Sequence, residues 1–375
     1  MKALNVNPFE FDPQQGIFDL MKALERLPAV EEVDVHGELL LNRSGPDALL
    51  SVHTASGIRH IQIEAKSSGE PRFIRDASFR LRDWATHRGE PSYGIVMAPF
   101  ISPESREILR KENQGWFDMA GNCLISFDGI HLEIAKTDLN PFSTKRKQRS
   151  LFSPKAGRVL RLLLSEPGPW KGTDLVSRTR VSAGQISKIR EALLDREWAS
   201  ATQEGLRISQ PAAILEAWKD SPGRSPKLAV SGYSLLSGKS LDAHLQILFS
   251  KALKTPYATV LLAAHSVARR VAPYARVTGE FFYADKKGVE LIKETLQMEP
   301  SEHGANIAIY EPEDDLISLD SISLLPEPLR GTSLIQTYLD LSGMGDRAKE
   351  AASFLYDEKI APKLLSEVRR EYDQR

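Results

Sequence analysis

A hairpin near the N-terminus constrains this chain more than any other segment. Asp47-Ala-Leu-Leu-Ser-Val-His53 reads as a strand, Thr54-Ala-Ser-Gly57 as a tight turn, and Ile58-Arg-His-Ile-Gln-Ile-Glu-Ala-Lys66 as the returning strand. With Ala55 and Ser56 as a two-residue loop, Thr54 faces Gly57, and counting back sets Asp47 directly opposite Glu64. Cross-strand partners hold their Cβ atoms about 5 Å apart. Glu64 and Lys66 are two apart and share a face, which Gln62 and His60 continue. Ile61, Ile63 and Ala65 point the other way, towards a core.

Two carboxylates opposite each other destabilise a sheet. A divalent cation removes that penalty. Mg²⁺ takes oxygen ligands, usually one or two carboxylates with waters and phosphate oxygens. It can lower the pKa of bound water and stabilise the leaving oxygen of a phosphodiester. Asp47 and Glu64 are therefore the candidate metal ligands. Lys66 is the candidate catalytic cation, holding an attacking water or offsetting transition-state charge. The alternative is a solvated strand face with an ordinary Glu–Lys pair. Pro46-Asp47 followed by Glu64-Ala65-Lys66 resembles the PD…ExK pattern of metal-dependent nucleases.

Length and charge set the frame. A chain of 375 residues accommodates two or three domains, and an apolar fraction of 41% supplies ordinary cores. The net charge of −1 leaves no overall electrostatic bias, so any basic surface is local. A single cysteine, Cys123, excludes an intramolecular disulfide, argues against a thiolate metal site and fits the reducing cytoplasm. The first ten residues lack an apolar h-region, and no apolar run approaches the length of a membrane span. A cytoplasmic protein without signal peptide or membrane contact is expected.

The expected architecture is multidomain α/β, in three parts: residues 1–140, 141–212 and 213–375. In the first, Ile17, Leu20, Met21, Leu24 and Leu27 mark a helix, and Val33, Val35, Leu39 and Leu41 a strand before the hairpin. Phe73 to Trp84 reads as a second helix and Tyr93 to Ala98 as a strand. Ser102-Pro103-Glu104 starts a third helix, and residues 116–135 form a meander turning at Gly121-Asn122 and Asp128-Gly129. This order resembles the restriction-endonuclease-like core, in which the strand carrying ExK runs into a basic helix, here through Lys66-Ser-Ser-Gly-Glu-Pro-Arg72. Arg72, Arg75, Arg80, Arg82 and Arg88 sit on or beside that helix, placed to meet phosphates near Glu64 and Lys66. A solvated face balanced by Asp76 and Asp83 is the alternative.

The second part opens with a cationic stretch. Lys145, Arg146, Lys147, Arg149, Lys155, Arg158 and Arg161 follow one another, with no acidic residue between Leu139 and Ser165. Such a stretch beside a DNA-binding motif tracks phosphate without reading sequence. Three short helices (155–164, from Gly172, and 185–196) and a hairpin over 198–209 then look like a winged helix-turn-helix. This class lays its second helix in the major groove. Ser182, Gln185, Ser187, Lys188 and Arg190 fall on its outward face; Gln185 suits adenine, and Lys188 and Arg190 suit guanine or phosphate. Protein docking is the alternative use of such a module.

Residues 212–226 read as a link, through Pro222, Gly223 and Pro226, to an α/β domain with strands at 258–263, 276–283 and 305–310. Glu311, Glu313, Asp314 and Asp315 read as an exposed acidic loop. Nucleotidyl transfer requires a Gly-Ser turn followed by paired acids. The chain offers only Ala263-Ala264-His265-Ser266 and then Glu280 and Asp285, so no such activity is expected. Gln336-Thr-Tyr-Leu-Asp-Leu341 and Asp346-Arg-Ala-Lys-Glu-Ala-Ala352 resemble the closing segment of AbiEi-type antitoxins. These are prokaryotic DNA-binding regulators of type IV toxin–antitoxin systems. The resemblance spans roughly residues 150–355 and implies a transcriptional regulator of duplex DNA, with a protein partner or a homodimer through the C-terminal domain. A Mg²⁺-dependent endonuclease acting through Asp47, Glu64 and Lys66 is the alternative.

Overall fold

The structure is a computed structural model. It describes residues 11–35, 45–88, 92–142, 151–166, 168–221, 226–274, 277–301 and 303–364. Two compact units form: Met1–Gln148 with Leu193–Glu197, and Arg149–Ala192 with Trp198–Arg375.

The first unit runs α1 (Pro13–Glu25), β1 (Val30–Val35), β2 (Ala48–Thr54), β3 (Gly57–Ala65), α2 (Pro71–Arg88), β4 (Ser92–Ala98), α3 (Pro103–Lys111), β5 (Gly115–Asp118), β6 (Cys123–Phe127) and β7 (Ile130–Ile134). All seven strands form one sheet in sequence order. Neighbours are antiparallel except β3 with β4 and β4 with β5. The parallel pairs follow from the helices between them, since a parallel return needs a crossover. Local chemistry sets the boundaries. Asp12 caps α1 by accepting from Gln14 N–H, and Ser102 caps α3 by accepting from Ser105 N–H, each ahead of a proline in the first turn. Asp128 and Gly129 both take positive φ between β6 and β7, as a two-residue hairpin turn demands.

Alternation then sorts side chains onto two cores. On one face Ile17, Leu20 and Leu24 of α1 pack with Leu50, Ile61, Ile63, Ile95 and Met97. On the other, Ile74, Ala77 and Leu81 of α2 pack with Val96, Ala98, Leu109 and Trp116. β3 and β4 are thus covered on both sides. The face bearing Gln62 and Glu64, expected to meet solvent if it were an ordinary strand face, is instead buried beneath α2.

The second unit begins with α4 (Pro154–Ser165), α5 (Gly172–Thr179), α6 (Ala183–Asp195, whose residues from Leu193 belong to the first unit), β8 (Ala199–Ala201) and β9 (Leu206–Ile208). Three helices and a hairpin therefore follow in the expected order, and a bridge from Trp170 to Leu206 ties the hairpin to the segment before α5. Residues 211–219 depart from the expected link. They form α7 (Pro211–Lys219), which buries Ile214, Leu215 and Trp218. A seven-stranded mixed sheet follows, built from β10 (Lys227–Tyr233), β11 (Val260–Leu262), β12 (Glu280–Ala284), β13 (Glu299–Pro300), β14 (Ile307–Glu311), β15 (Ile322–Ser323) and β16 (Arg330–Gly331), in the order β13-β10-β14-β12-β11-β16-β15. α8 (Gly238–Lys254), α9 (Ala264–Val271) and α10 (Lys286–Thr295) connect its strands, and α11 (Leu334–Ser342) and α12 (Asp346–Leu355) follow.

Two expectations about charge are overturned here. Arg158 and Arg161 do not track phosphate, because both are buried in α4. Arg158 grips Asp314 with two guanidinium nitrogens and donates to Thr179 O at 2.8 Å. Arg161 donates to Asp320 at 2.7 Å and to Gln336 at 3.1 Å. Asp314 is correspondingly not an exposed loop acid but a buried counter-ion, while Glu311 and Asp315 stay exposed. The last two arginines of that run are neutralised by acids about 150 residues further along.

Candidate active site

The β2–β3 register places the site. Ala48 faces Ile63 and Thr54 faces Gly57, which carries Asp47 to the position opposite Glu64. Asp47 Oδ2 accepts a hydrogen bond from Ala65 N–H at 2.7 Å, fixing its carboxylate at the end of β3. Just beyond, Lys66 N–H bonds Met97 O at 2.8 Å. Gly69 forms a bridge with Ile101, and a Cβ at Gly69 would lie 2.0 Å from Phe100 O. Only glycine lets the backbone approach this closely. The loop from Lys66 to α2 is thereby pinned to the end of β4.

Glu64 is 2% exposed. Its Oε1 accepts from Lys66 Nζ at 3.0 Å and from Arg80 at 3.3 Å. Lys66 Nζ also donates to Asp76 Oδ2 at 2.8 Å, and Arg80 Nε lies 3.5 Å from the same oxygen. Burial pushes the Glu64 carboxyl above its ordinary range, Lys66 pulls it back, and the nearby Asp47 charge pushes it up again. Asp76 moves the opposite way, held low chiefly by its hydrogen bond from Lys66. A groove of about 240 Å³, walled by Pro46, Arg80, Asp83 and Trp84, opens onto Glu64.

This donor set suits a hard divalent cation. Asp47 Oδ1 and Glu64 Oε2 accept no hydrogen bond from the described residues. No third His, Cys, Asp or Glu ligand atom joins the two carboxylates among the described residues; the one such triad is exposed Glu32 and Asp34 with His53, elsewhere on the sheet. Two carboxylates with room for waters and phosphate oxygens match Mg²⁺ rather than the closed four-ligand set of structural zinc.

The other expected site residues are dispersed. Arg72 and Arg75 are exposed on α2, but Arg72 lies 3.5 Å from Asp195 and Arg75 is 2.8 Å from Glu197. Arg82 is paired with Glu112. Ser182, Ser187, Lys188 and Arg190 are exposed along α6 or at its start, and Gln185 is half-buried. Ser182, Gln185 and Lys188 line a groove of about 470 Å³ with Ser153 and Ile189. Lys145, Arg146, Lys147 and Arg149 lie outside the described residues. Arg80, expected with the other α2 arginines to meet phosphates near Glu64 and Lys66, is the one that reaches Glu64, while Asp76, expected only to balance a solvated helix face, is a site member that the sequence did not single out. Their four-residue spacing on a helix that follows Lys66 was the available signal.

No family model matches the sequence, and no curated protein matches it; the AbiEi-type resemblance gains no support. Among solved structures, the chain is similar to a repair endonuclease from Pyrococcus abyssi, at 14% identity over 30% of this chain and 48% of that one, with a TM-score of 0.22. It is also similar to EndoMS in a complex with double-stranded DNA, at 15% identity, 32% and 49% coverage and a TM-score of 0.22. The chain spans about half the length of these structures. Likeness at this level carries no argument. Among the described residues, no helix is long and apolar enough to cross a membrane.

Proposed function

We propose that the chain is a Mg²⁺-dependent DNA endonuclease of the PD-(D/E)xK kind. Asp47 and Glu64 would hold the ion, and Lys66 would be the catalytic cation. The carrying observation is the buried Glu64 carboxylate, set beside a second acid, touched by Lys66 and opening onto a groove. Burying like charges together destabilises a fold, so such clusters point to chemistry rather than packing.

When bound, Mg²⁺ would offset charge on the phosphate and favour ionisation of water. The chain's own residues position the rest. Ala65 N–H fixes Asp47, and Asp76 holds Lys66 beside Glu64. Lys66 would orient the attacking water. The water oxygen bonds to phosphorus, one P–O ester bond breaks, and the leaving oxygen takes up a proton, so one water is consumed per strand cut.

DNA-binding regulation through a winged helix is the second reading. The exposed face of Ser182, Ser187, Lys188 and Arg190 favours it. On the nuclease reading, this module delivers the enzyme to duplex DNA. The test is cleavage of duplex and branched DNA with Mg²⁺ or Mn²⁺. Metal-dependent nicking that disappears in Asp47→Ala and Lys66→Ala is the expected result. Inertness with both metals, or nicking that survives both substitutions, overturns the nuclease reading; unchanged duplex binding in both variants would then favour the regulator.

A further inference from the structure

Four arginines with described side chains stand on the outer face of α2, and their partners separate them. Arg72, Arg75 and Arg82 pair with Asp195, Glu197 and Glu112. Arg80 alone among them reaches the carboxylate cluster. Its contacts there are the loose ones: 3.3 Å to Glu64 and 3.5 Å to Asp76, against 3.0 and 2.8 Å for Lys66. Its side chain is 56% exposed, against 15% for Lys66. Lys66 is thus built into the cluster, and Arg80 rests on it from the groove side.

The groove needs such a residue. Of the side chains that line it, Glu64 and Asp83 are acidic and Arg80 is the one cation among the described residues. A phosphodiester entering beside Glu64 meets repulsion unless a mobile positive group turns to it. The guanidinium fork matches two phosphate oxygens in a way an ammonium does not. Charge balance points the same way. Asp47, Glu64 and Asp76 oppose Lys66 and Arg80, leaving one negative charge. A divalent cation with one phosphodiester offsets that charge, with Asp83 at the groove wall left outside the sum, and the cation competes with Arg80 for Glu64.

We infer that Arg80 is the phosphate-binding residue of this site, parked on Glu64 and Asp76 and transferred to a non-bridging oxygen of the scissile phosphate when substrate and cation enter. This rests on the nuclease reading.

The experiment compares the full-length wild type, Arg80→Ala and Arg80→Lys. Three quantities are read: single-turnover cleavage of duplex DNA with Mg²⁺, duplex affinity with Ca²⁺, and Mn²⁺ affinity without DNA. The expectation for Arg80→Ala is a rate loss of about 100-fold, weaker duplex binding, and Mn²⁺ affinity unchanged or tighter. Arg80→Lys should recover part of the rate, since charge returns without the fork. Wild-type rates in Arg80→Ala overturn the inference and leave the nuclease reading standing. So does a parallel loss of Mn²⁺ affinity, which would make Arg80 a support for the carboxylates. A wild type that neither cleaves nor binds Mn²⁺ overturns the nuclease reading, and the inference with it.

Discussion

Each unit buries a cluster of charges, and the two clusters are built differently. In the second unit, buried Arg158 and Arg161 meet Asp314 and Asp320, and spare donors go to Thr179 O and Gln336. Burial would push Asp314 up, but hydrogen bonds from Arg158 and the Leu316 N–H and the charges of both arginines outweigh it, so Asp314 ends below the ordinary carboxylate range. In the first unit Glu64 is as deeply buried, yet its partners leave it above that range, with a like charge nearby and a groove of about 240 Å³ in front, against about 30 Å³ beside Asp314 and Arg161. A matched cluster fixes how elements pack. An acid-rich cluster facing a groove would, on the proposed function, take up a cation. Burial of charge alone does not separate the two; the balance of charge does, with two arginines against two aspartates in one and Lys66 and Arg80 against Asp47, Glu64 and Asp76 in the other.

The largest effects should therefore run in opposite directions. Glu64→Gln is expected to remove metal-dependent cleavage, by about 1,000-fold or more, while leaving the chain as stable as wild type or up to about 1 kcal/mol more stable. Single-turnover assays and urea melts on the same preparation check both halves. A large loss of stability would put Glu64 in the same class as Asp314 and break the comparison. Arg158→Ala should do the reverse. It leaves a buried carboxylate unpaired, which costs about 3–5 kcal/mol, and folded protein should cleave at the wild-type rate. Adding Asp314→Ala should recover part of that loss, because the two residues are in direct contact.

Acid sharpens the contrast. A carboxylate whose folded pKa is depressed contributes stability that is complete above its unfolded value and is lost as pH falls through the folded one. For Asp314 the unfolded value is the ordinary 3.8. The stability gap between wild type and Asp314→Asn should be full at neutral pH and hold down to about pH 4. It should shrink below that, measured by urea unfolding across a pH series. A gap that shrinks well above pH 4 would show that Asp314 is not held low by Arg158.

How much of this was readable in advance follows from the range of the forces involved. The β2–β3 register was legible because a tight turn and strict alternation fix it locally, and with it the placing of Asp47 opposite Glu64. The Ser102 cap and the Asp128-Gly129 turn were legible for the same reason. The fate of Arg158 and Arg161 was not, since their counter-ions lie over 150 residues away and only tertiary packing joins them. Residues 211–219 read as a link because prolines and glycine crowd the next stretch, yet Ile214, Leu215 and Trp218 sit at helical spacing. Asp76 and Arg80 were visible as charges. Which way they face depends on how α2 lies across β3, and nothing local encodes that.

The smallest effect concerns the cations of the second unit. Arg158 and Arg161 have no charge to offer a phosphate, because Asp314 and Asp320 already hold them. Lys188, exposed on α6 and lining the groove beside Gln185, has no ion pair among the described residues. If the second unit delivers duplex DNA, Lys188→Ala should weaken binding about equally across sequences and reduce the slope of log affinity against log salt by about one. Fluorescence anisotropy over a salt series checks this. An unchanged slope would remove Lys188 from the phosphate contacts. The same measurement on Arg158→Gln, at a temperature where it remains folded, should leave the slope at its wild-type value, since a paired and buried guanidinium releases no counter-ions from DNA.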